Sequence, residues 1–127
     1  MKLLLDTNIL LWVAAGTLPK SAEQYIIDSA NDLFFSSASI WEVVIKRNLN
    51  RHDFDVDPHL LYRGLIENGY EQMQVTADHT LMTGTLPNIH KDPFDRILLA
   101  QSLCEKITLL TSDKKMLDYP VPLIHVG

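Results

Sequence analysis

A single cysteine, Cys104, excludes any disulfide within the chain, and its position inside an apolar helical pattern fits a small core residue in a reducing compartment. No apolar run approaches the roughly 20 residues that a membrane-spanning helix requires. Lys2 precedes apolar residues, and Ala14-Ala15-Gly16 has the small residues of a cleavage site. Asp6-Thr7-Asn8 interrupts that stretch, however, so it reads as folded structure rather than a signal peptide, and the expected location is the cytoplasm. A basic excess is also missing: 11 Lys and Arg stand against 16 Asp and Glu, a net charge of -5. That sign excludes holding nucleic acid by charge alone. Even with four carboxylates neutralised by cations the balance stays acidic, so any nucleic-acid role must rest on bound cations with a local basic rim, or on a basic partner. None of the five histidines (His52, His59, His79, His90, His125) forms a metal-spacing pair such as H-E-x-x-H. His90 alone stands near a candidate site motif and reads as a surface-loop residue with at most a helper role. The five Gly and six Pro are dispersed, with no repeat, linker or low-complexity segment.

What remains is an ordinary globular composition, 46% hydrophobic over 127 residues, which predicts a single domain spanning 1–127 with a core of its own. The N-terminal run Lys2-Leu3-Leu4-Leu5 suits a fully buried strand, followed after Asp6-Thr7-Asn8 by a helix over 9–15 that Gly16 stops. Thr17-Leu18-Pro19 opens a second helix ending near Asn31, and Leu33 to Ser36 is a short strand. Ser36, Ser37 or Ser39 caps the next helix, whose buried stripe is Ile40, Val43, Val44 and Leu49, with Glu42 beside it. A polar loop over 51–57 precedes a helix opened by Asp57-Pro58, with Leu60, Leu61, Leu65 and Ile66 packed inward and Gly69 as its stop. Residues 73–75 form a strand, and Thr76 caps a short helix through Met82. Asp92-Pro93 opens a helix over 93–101. Residues 107–110 and 121–126 are the last strands. Strands alternating with helices predict a mostly parallel central sheet of four to five strands in a three-layer α/β sandwich, helices on both faces.

Four acids fall at strand ends or helix starts: Asp6, Glu42, Asp95 and Asp113. Each has a structural alternative. Asp6 caps the helix after it, Glu42 pairs with Lys46 in the favourable Glu-before-Lys order, Asp95 complements a helix dipole, and Asp113 caps a turn begun by Lys114. Taken together at one sheet edge, unpaired carboxylates would repel and raise one another's pKa unless cations neutralised them. Clustered hard oxygen donors select Mg²⁺ or Mn²⁺. Such ions acidify a bound water, orient it for in-line attack and stabilise charge on a phosphoryl oxygen, which is the chemistry of phosphodiester hydrolysis.

On these residues the chain resembles a PIN-domain ribonuclease of the VapC toxin type. The resemblance is carried by Leu4-Leu5-Asp6-Thr7-Asn8, by Ser39-Ile40-Trp41-Glu42 with Lys46, by Lys91-Asp92-Pro93-Phe94-Asp95-Arg96, and by Leu110-Thr111-Ser112-Asp113, in the family's order and over nearly the whole chain. It implies a PIN-like fold and a Mg²⁺- or Mn²⁺-dependent endoribonuclease, the toxin of a toxin-antitoxin pair, with a cognate antitoxin that blocks the acidic pocket and a homodimer built on helices of the N-terminal half. Asp6, Glu42, Asp95 and Asp113 match the acidic quartet that binds metal and performs catalysis. Asn8, Thr111, Ser112, Lys46 and Asp92 are supporting groups, Asp92 chiefly as a helix cap. Lys91, Arg96 and Lys114 are the basic residues placed to meet RNA phosphates, Arg96 alternatively orienting Asp92 or shielding the acids. Trp12 and Trp41 read as packing or dimer contacts rather than base-stacking platforms.

Two other classes compete. One is a non-catalytic PIN-fold module acting in complex with a DNA-binding partner; the intact set of four acids argues against it. The other is a phosphotransfer domain with Asp6 as acceptor, which needs a further acid beside it that Thr7-Asn8 does not supply.

Overall fold

The structure, a computed structural model, describes residues 1–49 and 55–127. The loop expected over 51–57 lies outside the described residues for its first four positions, as does His52. Five strands, β1 (Lys2–Leu5), β2 (Asp32–Ser36), β3 (Glu71–Met73), β4 (Thr108–Thr111) and β5 (Leu123–His125), form one sheet in the order β3-β2-β1-β4-β5. Every pairing is parallel. The helices are α1 (Thr7–Ala15), α2 (Lys20–Ile27), α3 (Ser37–Asn48), α4 (Pro58–Glu67), α5 (Ala77–Met82) and α6 (Pro93–Glu105), with 3-10 turns at Thr83–Thr85 and Lys114–Asp118.

Alternation along the central strands divides the core. Leu3, Leu5 and Leu110 face one layer with Ile9, Phe35, Val43, Leu61 and Leu65. Leu4 and Leu109 face the other with Leu98, Leu99, Met116 and Tyr119. A central parallel strand is covered on both sides, so an unbroken leucine run is what it requires. Each fully buried leucine contributes about 1.5–3 kcal/mol of burial free energy.

Several boundaries differ from expectation. Pro19, not Thr17, is the N-cap of α2, with no side-chain cap, and the helix ends at Ile27 because Asp28 turns back to bond the Ala30 N–H (2.9 Å). The third strand runs over Glu71–Met73, two residues before 73–75, since its register is set by pairing with Phe34–Ser36. Ser36 caps α3 by accepting from Ala38 N, whereas Ser39 is buried and takes a 2.9 Å hydrogen bond from the Thr7 hydroxyl. On α3 Glu42 itself is buried while Leu49 is exposed, and on α4 Leu61 and Leu65 are buried while Leu60 and Ile66 face out. The rotation of each helix about its axis, set by packing, decides which of two adjacent apolar positions enters the core.

The chain steps from β1 out to β2 and β3, then returns across β1 to β4 and β5. The direction of progression therefore reverses between β1 and β4. In parallel α/β sheets the crevice at the carboxyl ends of strands at such a reversal is where ligands bind.

Candidate metal centre

Asp6 follows the last residue of β1 and is 4% exposed. Its backbone N–H bonds the Leu110 carbonyl (3.0 Å), which continues the β1–β4 ladder one residue past the strand and fixes where its side chain starts. One carboxylate oxygen caps α1 by accepting from Ile9 N (3.0 Å). The other accepts from the Thr111 hydroxyl and from Ser112 N (3.2 Å). Burial pushes the Asp6 pKa up, the three hydrogen bonds pull it down, and the neighbouring Asp113 charge adds to the rise. Asp6 therefore caps α1, as one of its alternatives expected, and the same carboxylate stands at the carboxyl end of β1 beside Asp113. Thr111 is wholly buried and its Oγ1 also accepts from Asp113 N (3.0 Å), so one hydroxyl sets Asp6 and the backbone that carries Asp113. Asp113 caps the turn after it by accepting from Lys115 N (2.9 Å), as one of its alternatives expected.

Glu42, 7% exposed on α3, pairs with Lys46 Nζ at 3.0 Å across one helical turn. The Thr7–Ser39 bond ties the start of α1 to the same helix one turn before Glu42. Asp92 caps α6 by accepting from Phe94 N (2.9 Å), and Pro93 needs no donor at the first position. Asp95, in that first turn, has its pKa raised to about 6, by burial first, then by the charge of Asp92 and more weakly that of Glu42, against the hydrogen bond and charge of His90, which lower it.

His90 is the residue that sequence reasoning undervalued. It is not an exposed loop histidine: its side chain is 17% exposed, with Nε2 2.6 Å from Asp95 Oδ2 and 3.5 Å from Asp113 Oδ2. Ligand atoms of His90, Asp95 and Asp113 all lie within 4.8 Å of one another, and they are the metal-competent cluster among the described residues. Asp6 and Glu42 adjoin it, close enough for Asp6 to sense the Asp113 charge and for Asp95 to sense that of Glu42. The signal that could have found His90 was its place two residues before Asp92, in the loop that enters α6.

Arg96 departs from expectation more sharply. Expected as an RNA contact, or as orienting Asp92 or shielding the acids, it is half-buried with its guanidinium engaged by backbone carbonyls. Nη1 donates to Pro87 O (2.9 Å), His90 O (3.3 Å) and the Tyr119 hydroxyl (3.3 Å), and Nη2 to Thr83 O (2.8 Å) and Leu86 O (3.4 Å). A loop folded back on a helix presents carbonyls with no backbone partners, and a planar five-donor fork can satisfy several together. Lys91 and Lys114 are exposed beside Asp92 and Asp113, and Asn8 is exposed on the first turn of α1.

An apolar groove of about 600 Å³ is lined by Trp41, Ile45, Val75, Phe94 and Ile97 among others. Trp41 is 62% exposed rather than packed in the core, and meets Phe94 edge to face at 5.3 Å. Among the described residues no helix is long and apolar enough to cross a membrane.

The family model described as "PIN domain" matches residues 3–122. No protein of curated function matches the chain by sequence. Among solved structures, a chain of VapBC2 from Rickettsia felis, bound to a DNA fragment from the promoter, is similar at 17% identity over 100% of both chains, with a TM-score of 0.75. A chain of DNA-bound VapBC from Salmonella typhimurium is similar at 15% identity over 98% of each (TM-score 0.71), and one of VapBC-1 from nontypeable Haemophilus influenzae at 16% over 98% of each (TM-score 0.68).

Proposed function

The chain belongs to the PIN domain family, and from that premise we propose that it is a divalent-metal-dependent endoribonuclease, the toxin of a VapC-type toxin-antitoxin pair. The observation that carries the reading is the convergence of Asp95 and Asp113 with His90 at the carboxyl edge of β1 and β4, with Asp6 and Glu42 adjoining. The donor set fits Mg²⁺ or Mn²⁺: several hard oxygens stand together, and the pKa of Asp95 is raised partly by negative neighbours, a repulsion that a cation would relieve. Asp95 and Asp113 would hold the ion, with Asp6 and Glu42 next to them. When bound, a divalent cation acidifies water and stabilises charge on the phosphoryl and leaving oxygens.

The protein's own groups supply orientation. Thr111 and Ser112 N hold one oxygen of Asp6 while Ile9 N holds the other, so that carboxylate has little rotational freedom. Lys46 holds Glu42. Lys91 and Lys114 flank the acids as the basic rim that an acidic protein needs to meet an RNA phosphate chain. The VapBC structures that the chain resembles support an antitoxin as partner and, for two of them, DNA as the complex's ligand. With a net charge of -5, DNA contact in such a complex falls to the partner, and so does the positive charge that covers the acids. A homodimer built on helices of the N-terminal half and a cytoplasmic location complete the reading.

The test is incubation of total RNA with purified protein in Mg²⁺, Mn²⁺ or EDTA, beside Asp113→Asn. Discrete products that require both metal and Asp113 are expected. Folded protein that cleaves nothing under any metal overturns the nuclease reading in favour of a non-catalytic binding module.

A further inference from the structure

Within that metal-dependent reading, on which this inference rests, we infer that His90 is a direct metal ligand, making a mixed nitrogen and oxygen site that favours Mn²⁺ over Mg²⁺. The geometry places one imidazole nitrogen between two carboxylates on separate elements, 2.6 Å from Asp95 Oδ2 on α6 and 3.5 Å from Asp113 Oδ2 after β4. Adjacent ligands of a six-coordinate ion with bonds near 2.1 Å lie roughly 3 Å apart, so these spacings need only small adjustments to close around one ion. The ligand atoms of all three residues already fall within 4.8 Å of one another.

The imidazole is presented by a clamped backbone. His90 N–H donates to the Tyr119 hydroxyl (2.7 Å), and its carbonyl accepts from Arg96 Nη1 (3.3 Å). Tyr119 is itself buried in the core layer below. A histidine serving only the surface has no need for both of its backbone polar groups to be fixed from two directions. Coordination would use the Nε2 lone pair, so the ion would take the place of the hydrogen bond that joins His90 to Asp95. Mg²⁺ dehydrates reluctantly and is held through oxygen, whereas Mn²⁺, also an oxygen-preferring ion but a first-row transition metal, gains more from a nitrogen donor, so one imidazole shifts the preference between them.

The experiment reads coordination without catalysis. Wild type and His90→Gln, whose amide keeps a hydrogen-bond donor but is a poor metal ligand, are titrated with Mn²⁺ and Mg²⁺ by calorimetry, and the Mn²⁺-loaded proteins are examined by pulsed electron paramagnetic resonance. Nitrogen modulation is expected in wild type and lost in the variant, with the Mn²⁺ over Mg²⁺ affinity ratio falling at least about tenfold, the scale on which single groups around a site change metal affinity. Modulation absent from Mn²⁺-loaded wild type, or persisting in His90→Gln with an unchanged ratio, overturns the assignment and leaves the metal reading intact. Failure of wild type to bind either cation overturns both. Should His90→Gln not fold, His90→Ala provides the same comparison, and the wild-type spectrum decides on its own.

Discussion

The Thr111 hydroxyl donates to the carboxylate of Asp6, joining residues 105 positions apart at the ends of adjacent strands. The same oxygen accepts the N–H of Asp113, so a side chain with no solvent exposure governs both candidate site acids. Thr111→Val keeps the shape and deletes the hydroxyl. The variant is expected to lose about 1–3 kcal/mol in urea denaturation, because Asp6 is left buried with one donor fewer. Cleavage is expected to fall at least about tenfold, since the orientation of Asp6 and the Asp113 backbone both loosen. Thr111→Ser retains the donor and should restore most of both. A Thr111→Val protein with wild-type stability and rate would show that the hydroxyl sets neither acid.

Asp95 gives a prediction with the opposite sign for stability. Its folded pKa of about 6 lies above the ordinary 3.8, so the folded state holds the proton more tightly than the unfolded chain. In metal-free protein its contribution is fully present below pH 3.8 and is lost as pH rises to about 6. Asp95→Asn removes that cost. In EDTA at pH 7.5 the variant should be more stable than wild type by on the order of 1–2 kcal/mol, a figure discounted because the side chain still meets solvent. The difference should shrink as pH falls towards 4. Cleavage should drop at least about a hundredfold, and added Mn²⁺ should stabilise wild type but not the variant. An Asn variant less stable than wild type at pH 7.5 contradicts the account of the repulsion.

The contrast between these acids and the rest of the site shows what the sequence made legible. A leucine run closed by Asp-Thr-Asn, helices opened by Asp-Pro and a strand closed by Thr-Ser-Asp are local patterns whose physics is local, and they located β1, α4, α6, β4 and the acids at their ends. The orientation of Arg96 and the burial of His90 depend on how residues 83–92 fold back over α6, which no periodicity encodes. The exposure of Trp41 on the rim of the apolar groove depends likewise on the third dimension, since its helical neighbours alone do not set which way it faces. Strand ends and helix starts can be read from one dimension, whereas a loop's contacts need the third.

Arg96 is expected to behave as a structural clamp. Arg96→Lys substitutes a point charge for a fork and cannot reach Thr83 O and Pro87 O together, so stability should fall by about 2 kcal/mol despite the conserved charge. If the clamp also presents His90, Mn²⁺ affinity should decline in the folded variant. Retention of stability with weaker RNA binding would return Arg96 to the role of a phosphate contact.

The exposed lysines supply the test of how an acidic protein meets RNA. Lys91 and Lys114 stand next to Asp92 and Asp113, where an approaching phosphate chain would meet a cation held by the acids and, at its margin, two ammonium groups. A metal ligand acts on the reacting phosphate, so its removal lowers kcat. A marginal lysine acts on phosphates along the strand in ground and transition states alike, so its removal should raise KM with kcat little changed. For single strands each lost contact reduces the slope of log affinity against log salt by about 0.7. Lys91→Ala with Lys114→Ala should therefore flatten that slope by about 1.4 and cost most at low salt, measured by titration of a cleavage-resistant analogue of a short single-stranded RNA into the metal-loaded protein with and without the two substitutions. A slope left unchanged by both substitutions would mean that the positive charge holding RNA comes from the cation and the partner alone, which an overall charge of -5 also allows.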